Sequence, residues 1–279
     1  MNRNDLIEAC IDIASMAVPV EEGDYIKDGL LHCGKCNTPK QTRQEFMGRI
    51  IMPRCLCKCG EEKRDREERA FQEEQRRIKI AGLRKMGFPD SEMAGWTFDR
   101  DDHANEKIST VARRYVDNFD EMKKRGKGLL LYGSVDTGKT FISACIANAL
   151  IDQGYACLVT NFARLTNTMQ NKFSDRQEYI DDLNRFSLIV IDDLASERDT
   201  EYMNEVVTNI IDARYRVGKP LIVTTNLTSE ELKNPKDIKK QRIYSRLLEM
   251  CFPVEVEGVH RRKEKLKQDF AEMRDMLGL

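Results

Sequence analysis

Leu129-Leu130-Leu131-Tyr132-Gly133-Ser134-Val135-Asp136-Thr137-Gly138-Lys139-Thr140 decides the fold of this chain. It reads as an apolar strand entering a loop of the form G-x-x-x-x-G-K-T. A helix is expected from about Lys139 through Phe141 to Leu150. Gly133 and Gly138 let the backbone turn with its N–H groups facing inward, which makes a nest for phosphate oxygens. Ser134, Val135, Asp136 and Thr137 form the arc between them, and Phe141 lies in the first helical turn. The helix N-terminus adds positive partial charge at the same point. Lys139 can reach the β- and γ-phosphates, and Thr140 offers a hydroxyl to Mg2+. The expected ligand is ATP with magnesium.

Downstream, strand and helix patterns alternate. Strands are expected over 156–160, 188–191, 221–225 and 253–256, joined by amphipathic stretches. That alternation predicts an α/β fold, a parallel sheet with helices on both faces. Ligands of such sheets sit at the carboxyl ends of the strands. Ser187-Leu188-Ile189-Val190-Ile191-Asp192-Asp193 is an apolar strand ending in two carboxylates about 50 residues beyond the loop. Asp192 suits the Mg2+ shell, and Asp193 suits positioning or activating the attacking water. Thr224-Thr225-Asn226 ends the fourth strand and places the Asn226 amide near the γ-phosphate. Arg242 and Arg246 share one face of an expected helix over 241–248. An arginine offered to a neighbouring subunit's nucleotide would stabilise the charge developed in phosphoryl transfer.

Toward the N-terminus, five of the nine cysteines lie between Cys33 and Cys59. Clustered cysteines in an intracellular chain point to metal rather than disulfides. Cys33-Gly34-Lys35-Cys36 and Cys55-Leu56-Cys57-Lys58-Cys59 offer five thiols for four tetrahedral positions. Cys33, Cys36, Cys57 and Cys59 are the chosen set, with Cys55 or His32 as the substitute. A closed all-thiolate Zn2+ site of this kind is structural, and a module this small needs it to fold. Cys10, Cys145, Cys157 and Cys251 sit among apolar neighbours and read as ordinary thiols.

The 279 residues allow one substantial α/β domain and a smaller module. The expected division is a zinc-binding module over 1–60, a charged linker helix over 61–89 and an ATPase domain over 90–279. A short helix is expected over 5–17 and another over 104–124. The lone Trp96 is expected to anchor the linker against the next domain. A formal net charge of -1 excludes a globally basic nucleic-acid binder but leaves room for a local basic groove. The apolar runs are strand-length and the first residues lack a signal-peptide core, so the expected location is cytoplasmic.

Gly133–Thr140, the 188–193 strand with its trailing Leu194-Ala195-Ser196-Glu197-Arg198, Thr224–Asn226, and Arg242-Ile243-Tyr244-Ser245-Arg246-Leu247 resemble the AAA+ ATPases of the DnaC/DnaI helicase-loader group, relatives of the IstB-like ATP-binding proteins. The cysteine module resembles the N-terminal, helicase-binding domain of DnaI-type loaders and their phage relatives. The resemblance implies a trans-acting arginine finger at Arg246, supported by Arg242, and a first sensor at Asn226. It places a second sensor in Gly258-Val259-His260-Arg261-Arg262, at Arg262 with Arg261 as the near alternative. The second acid, usually Glu in AAA+ proteins, is Asp193 here, which implies slow, switch-like turnover.

The partners implied are a DnaB-type hexameric replicative helicase, further copies of this chain and single-stranded DNA. For DNA, Asn161-Phe162-Ala163-Arg164, Lys172-Phe173, Arg176 and Tyr179 interleave basic and aromatic residues after the second strand. Two rivals stand beside the loader: an IstB-type transposition ATPase, and a non-hydrolysing nucleotide-gated adaptor that inhibits a host replication protein.

Overall fold

The cysteine-bearing segment folds as two short antiparallel hairpins. β1 (Tyr25–Lys27) pairs with β2 (Leu30–His32), and β3 (Gln44–Phe46) pairs with β4 (Arg49–Ile51). Asp28-Gly29 and Met47-Gly48 make the turns with positive φ at both residues, the backbone that two-residue hairpins require. The computed structural model describes residues 18–89, 92–171, 175–194, 201–235, 237–258, 269–270 and 272–278. The helix expected over 5–17 lies outside them. Two compact units divide the chain, Met1–Arg77 and Ile78–Leu279.

The charged stretch is one helix, α1 (Lys58–Gly87), rich in mixed-sign charge and free of proline. In its last turns Ile80 and Leu83 pack against a core of the second unit. There Arg84 bonds Asp152 at 2.6 Å, and a Cβ on Gly87 would meet the Cys157 carbonyl oxygen at 2.2 Å. The expected helix over 104–124 is two, α2 (Glu106–Asp117) and α3 (Phe119–Lys124). Asn118 ends the first, its amide donating to the Arg114 carbonyl at 2.8 Å.

The second unit is built on β5 (Gly128–Tyr132), β6 (Cys157–Asn161), β7 (Leu188–Leu194), β8 (Leu221–Thr225) and β9 (Cys251–Glu255). They form one parallel sheet in the order β6-β7-β8-β5-β9. Successive strand residues face opposite sides, so Leu129, Leu131, Leu188 and Val190 enter one core while Leu130, Ile189 and Ile191 enter another. The first core is covered by α2, α3 and α4 (Lys139–Asp152). The second is covered by α5 (Phe162–Asn171), α6 (Arg176–Leu183), α7 (Glu201–Arg216), α8 (Ser229–Lys233) and α9 (Ile238–Met250). Pro253 is tolerated inside β9 because that strand lies at the sheet edge.

Opposite the carboxyl ends of the strands, Arg214 is fully buried. Its guanidinium donates to the carbonyls of Phe186 at 2.9 Å and Pro220 at 2.7 Å, tying the entries to β7 and β8. Burial pulls its pKa down to about 10, so it remains a cation at neutral pH. The buried thiols of Cys145, Cys157 and Cys251 are pushed up to about 12 by burial, as befits core residues.

Candidate functional site

The loop after β5 closes on α4 through two glycines in left-handed backbone, Gly133 at φ 133° and Gly138 at φ 91°. Gly138 caps α4 without a side chain, so the first N–H groups of the helix stay open to a ligand. A Cβ on Gly133 would meet the Val256 carbonyl oxygen at 2.7 Å, so only glycine lets the segment after β9 lie against the loop. The Thr137 hydroxyl donates to the Ser134 carbonyl at 3.0 Å and braces the arc. Lys139 Nζ donates to the carbonyls of Gly133 at 3.0 Å and Ser134 at 2.6 Å, folded over the space that a phosphate would take. Burial lowers its pKa, while Asp193, Asp192 and Asp136 pull the other way.

Thr140 and Asp192 meet directly. The Thr140 hydroxyl lies 2.9 Å and 3.1 Å from the two Asp192 carboxylate oxygens. Burial raises the Asp192 pKa against the hydrogen bonds of Thr224 and Thr140, which lower it. Hard oxygen donors in this arrangement suit Mg2+. Asp193 does not continue the strand regularly. Ile191 pairs with Val223 and Leu194 with Thr225, so two residues of β7 oppose Thr224 alone, a β-bulge. Asp193 takes φ 63° there, and the Asn226 amide donates to its carboxylate at 3.2 Å. The alternation of the sequence carried no sign of this bulge. Without it the two adjacent acids would point to opposite faces of the sheet.

Loop, acids, Thr224 and Asn226 line one cavity of about 440 Å3 with Met93, Trp96 and Phe141. Trp96, expected to anchor the linker, packs against the first core, and its ring, 5.9 Å from that of Phe141, also walls the cavity. The Asn148 amide fixes that wall by donating to the carbonyls of Met93 at 3.0 Å and Trp96 at 2.9 Å. An apolar wall beside a phosphate nest suits a nucleobase. Met93 and Asn148 carry no motif, so sequence reading had no signal for them.

Arg246 does not line that cavity. It forms an ion pair with Asp212 of α7, and its guanidinium lies 5.5 Å from the Tyr215 ring centre. Arg242 binds the other oxygen of the same carboxylate at 3.1 Å. Asp212 escaped the sequence reading because nothing in α7 marks it. Arg261, Arg262 and the stretch 195–198 lie outside the described residues.

In the first unit, the sulfurs of Cys33, Cys36, Cys57 and Cys59 all lie within 4.8 Å of one another. Cys59 Sγ stands 3.4 Å from Cys33, 3.3 Å from Cys36 and 3.5 Å from Cys57. Four thiolates at about 2.3 Å from a tetrahedral zinc would be about 3.8 Å apart, so the donor set fits Zn2+. Cys55 turns away to the Pro39 carbonyl, and His32 bonds the Leu30 carbonyl at 3.0 Å.

Of the residues expected to face DNA, Phe162 is 4% exposed and packs in the second core, which removes it as a stacking surface. The Arg176 guanidinium lies 5.5 Å from the Tyr202 ring centre, and Arg164 is exposed. Lys172 and Phe173 lie outside the described residues. No described helix is long and apolar enough to cross a membrane.

The sequence pattern of the IstB-like ATP binding proteins matches residues 52–268. The replicative helicase loader DnaI of Bacillus subtilis is 25% identical over 199 residues, 66% of this chain and 64% of that protein. The replicative helicase loader DnaC of Escherichia coli is 27% identical over 125 residues, 43% of this chain and 50% of that protein. The alignments thus span one half to about two thirds of these relatives. A crystal structure of DnaI superposes with a TM-score of 0.52 at 24% identity, covering 61% of this chain and 96% of that one, which shows a shared fold.

Proposed function

The chain belongs to the IstB-like ATP binding protein family, and from that premise we propose that it is an ATP-dependent loader of a DnaB-type hexameric replicative helicase, acting in the initiation of DNA replication. One observation carries the hydrolytic part: Thr140 and Asp192 meet at 2.9 Å beneath the phosphate loop, with Asp193 and Asn226 beside them. The likeness to two named helicase loaders supports the target.

The loop N–H groups and Lys139 grip the β- and γ-phosphates. Thr140 and Asp192 hold Mg2+, which when bound neutralises charge on those phosphates. Asp193 orients the attacking water, and Asn226 holds its carboxylate. Asp193 is one methylene shorter than the usual Glu, so turnover is slow. Arg246 exchanges Asp212 for the γ-phosphate of a neighbouring copy, with Arg242 alongside, and so couples hydrolysis to self-association. Arg262, or Arg261 in its place, serves as the second sensor. Cys33, Cys36, Cys57 and Cys59 hold the Zn2+ that staples the helicase-contacting module. Arg164, exposed beyond β6, supports contact with single-stranded DNA. The rival, an IstB-type transposition ATPase, shares the family. Cys33 and Cys36 lie outside the residues that the family pattern matches, which favours the loader.

The full chain is expected to capture a DnaB-type hexamer in a pull-down, and removal of residues 1–77 is expected to abolish capture. Capture of a transposase and not of the helicase would replace the loader by its rival. A second measurement tests the shared site. Arg246→Ala is expected to lower the ATPase rate by about 100-fold or more. Mixing with Lys139→Ala subunits, which keep Arg246, is expected to restore activity. A defect that mixing leaves untouched would place Arg246 outside the neighbour's site.

A further inference from the structure

We propose that Thr224 is a positioning residue for the hydrolysis, its single hydroxyl holding Asp192 for the metal and the Asp193 backbone for the water. This deepens the ATPase reading above and rests on it. Thr224 lies on β8, 2% exposed, where a sheet core would ordinarily take valine. Its Oγ1 donates to Asp192 Oδ1 at 2.6 Å and accepts the Asp193 N–H at 2.9 Å.

The bulge explains why a hydroxyl is needed. Two residues of β7 face Thr224, so one backbone group there loses its partner in the ladder. An unpaired N–H within the sheet is costly, and the Thr224 oxygen takes it. That bond fixes Asp193 in its left-handed conformation, from which its carboxylate meets Asn226. Thr225 closes the other end of the bulge, its hydroxyl donating to the Leu194 carbonyl at 2.8 Å. Thr140 also donates to Asp192, but on the reading above its hydroxyl would serve Mg2+ once nucleotide is bound. Thr224 is then the hydroxyl left to orient Asp192, and its spare lone pair holds the second acid.

The test compares full-length wild type, Thr224→Val and Thr224→Ser. Valine keeps the shape and deletes the hydroxyl, and serine restores it. For Thr224→Val the kcat for ATP is expected to fall about 10- to 100-fold, the range for one hydrogen bond to a charged group. Binding of a fluorescent ATP analogue without magnesium is expected to stay within about twofold, because the Thr224 hydroxyl is spent on Asp192 and the Asp193 N–H rather than offered to the cavity. The magnesium concentration for half-maximal tightening of that analogue is expected to rise about tenfold, a readout that needs no turnover. Thr224→Ser is expected to return both quantities to within about threefold of wild type. A valine variant with wild-type kcat and magnesium dependence overturns the proposal. So does a serine variant as impaired as valine, which would assign the effect to packing. If Thr224→Val does not fold, Thr224→Ala beside Thr224→Ser gives the same comparison. A wild-type chain that takes up no ATP with magnesium removes the ATPase reading itself, and this proposal with it. Hydrolysis by wild type with insensitive variants sinks only the role of Thr224.

Discussion

Lys139→Ala is expected to lose ATP hydrolysis by about 100-fold or more, the loss typical of removing one charged or donor group from a developing oxyanion. Its ammonium now spends its hydrogen bonds on two neutral carbonyls, those of Gly133 and Ser134. A bound triphosphate replaces them with anionic oxygens, where charge-assisted bonds are roughly twice as strong. The fold is expected to survive. Burial holds the Lys139 pKa below its ordinary value. A cation with a lowered folded pKa destabilises the native state wherever it is charged, so its removal takes away no favourable ionisation. The thermal midpoint is therefore expected to stay within about 4 °C of wild type, the shift that about 1 kcal/mol produces in a domain this size. Steady-state ATPase assays with a melting curve check both halves. Undiminished hydrolysis would remove the loop from the chemistry.

Stripping zinc is expected to unfold the first unit and leave the second intact. Among its described residues the buried apolar side chains are Leu31, Cys33 and Cys57, and two of those three are candidate ligands. Such a unit has no core without its metal. Structural zinc sites of this type contribute about 10–16 kcal/mol of apparent binding free energy at neutral pH. The second unit owns two large cores and needs none of it. Elemental analysis is expected to find one zinc per chain in wild type and in Cys55→Ser, and none in Cys57→Ser. Calorimetry of the Cys57→Ser chain is expected to keep only the transition of the second unit. Full zinc in Cys57→Ser would show that Cys55 can take its place.

The phosphate loop and the acid-tipped strand were legible because each is local, and the parallel sheet because strand and helix patterns alternate along the chain. Gly133 and Gly138 announce their own backbone, and Leu188 to Ile191 announce a buried strand. What escaped was non-local. The bulge at Asp193 is a matter of register against β8, and adjacent acids in a string say nothing of register. Trp96 reads as an anchor for the linker, and its place at the cavity emerges only when Asn148, 52 residues further on, pins its backbone to α4. Asp212 is one more charge on a helix until Arg242 and Arg246 arrive from α9. The break at Asn118 lies inside a continuous amphipathic pattern that either one helix or two would satisfy.

The backbone at Asp193 also bears on why a short acid stands there. At φ 63° a side chain crowds its own carbonyl, and aspartate tolerates that region far better than longer residues do. Glutamate would extend further toward a water but would meet a conformational cost of roughly 1–2 kcal/mol. Chain geometry thus favours the shorter acid, and if Asp193 orients the water as proposed, a leisurely timer is what this corner of the sheet would hold.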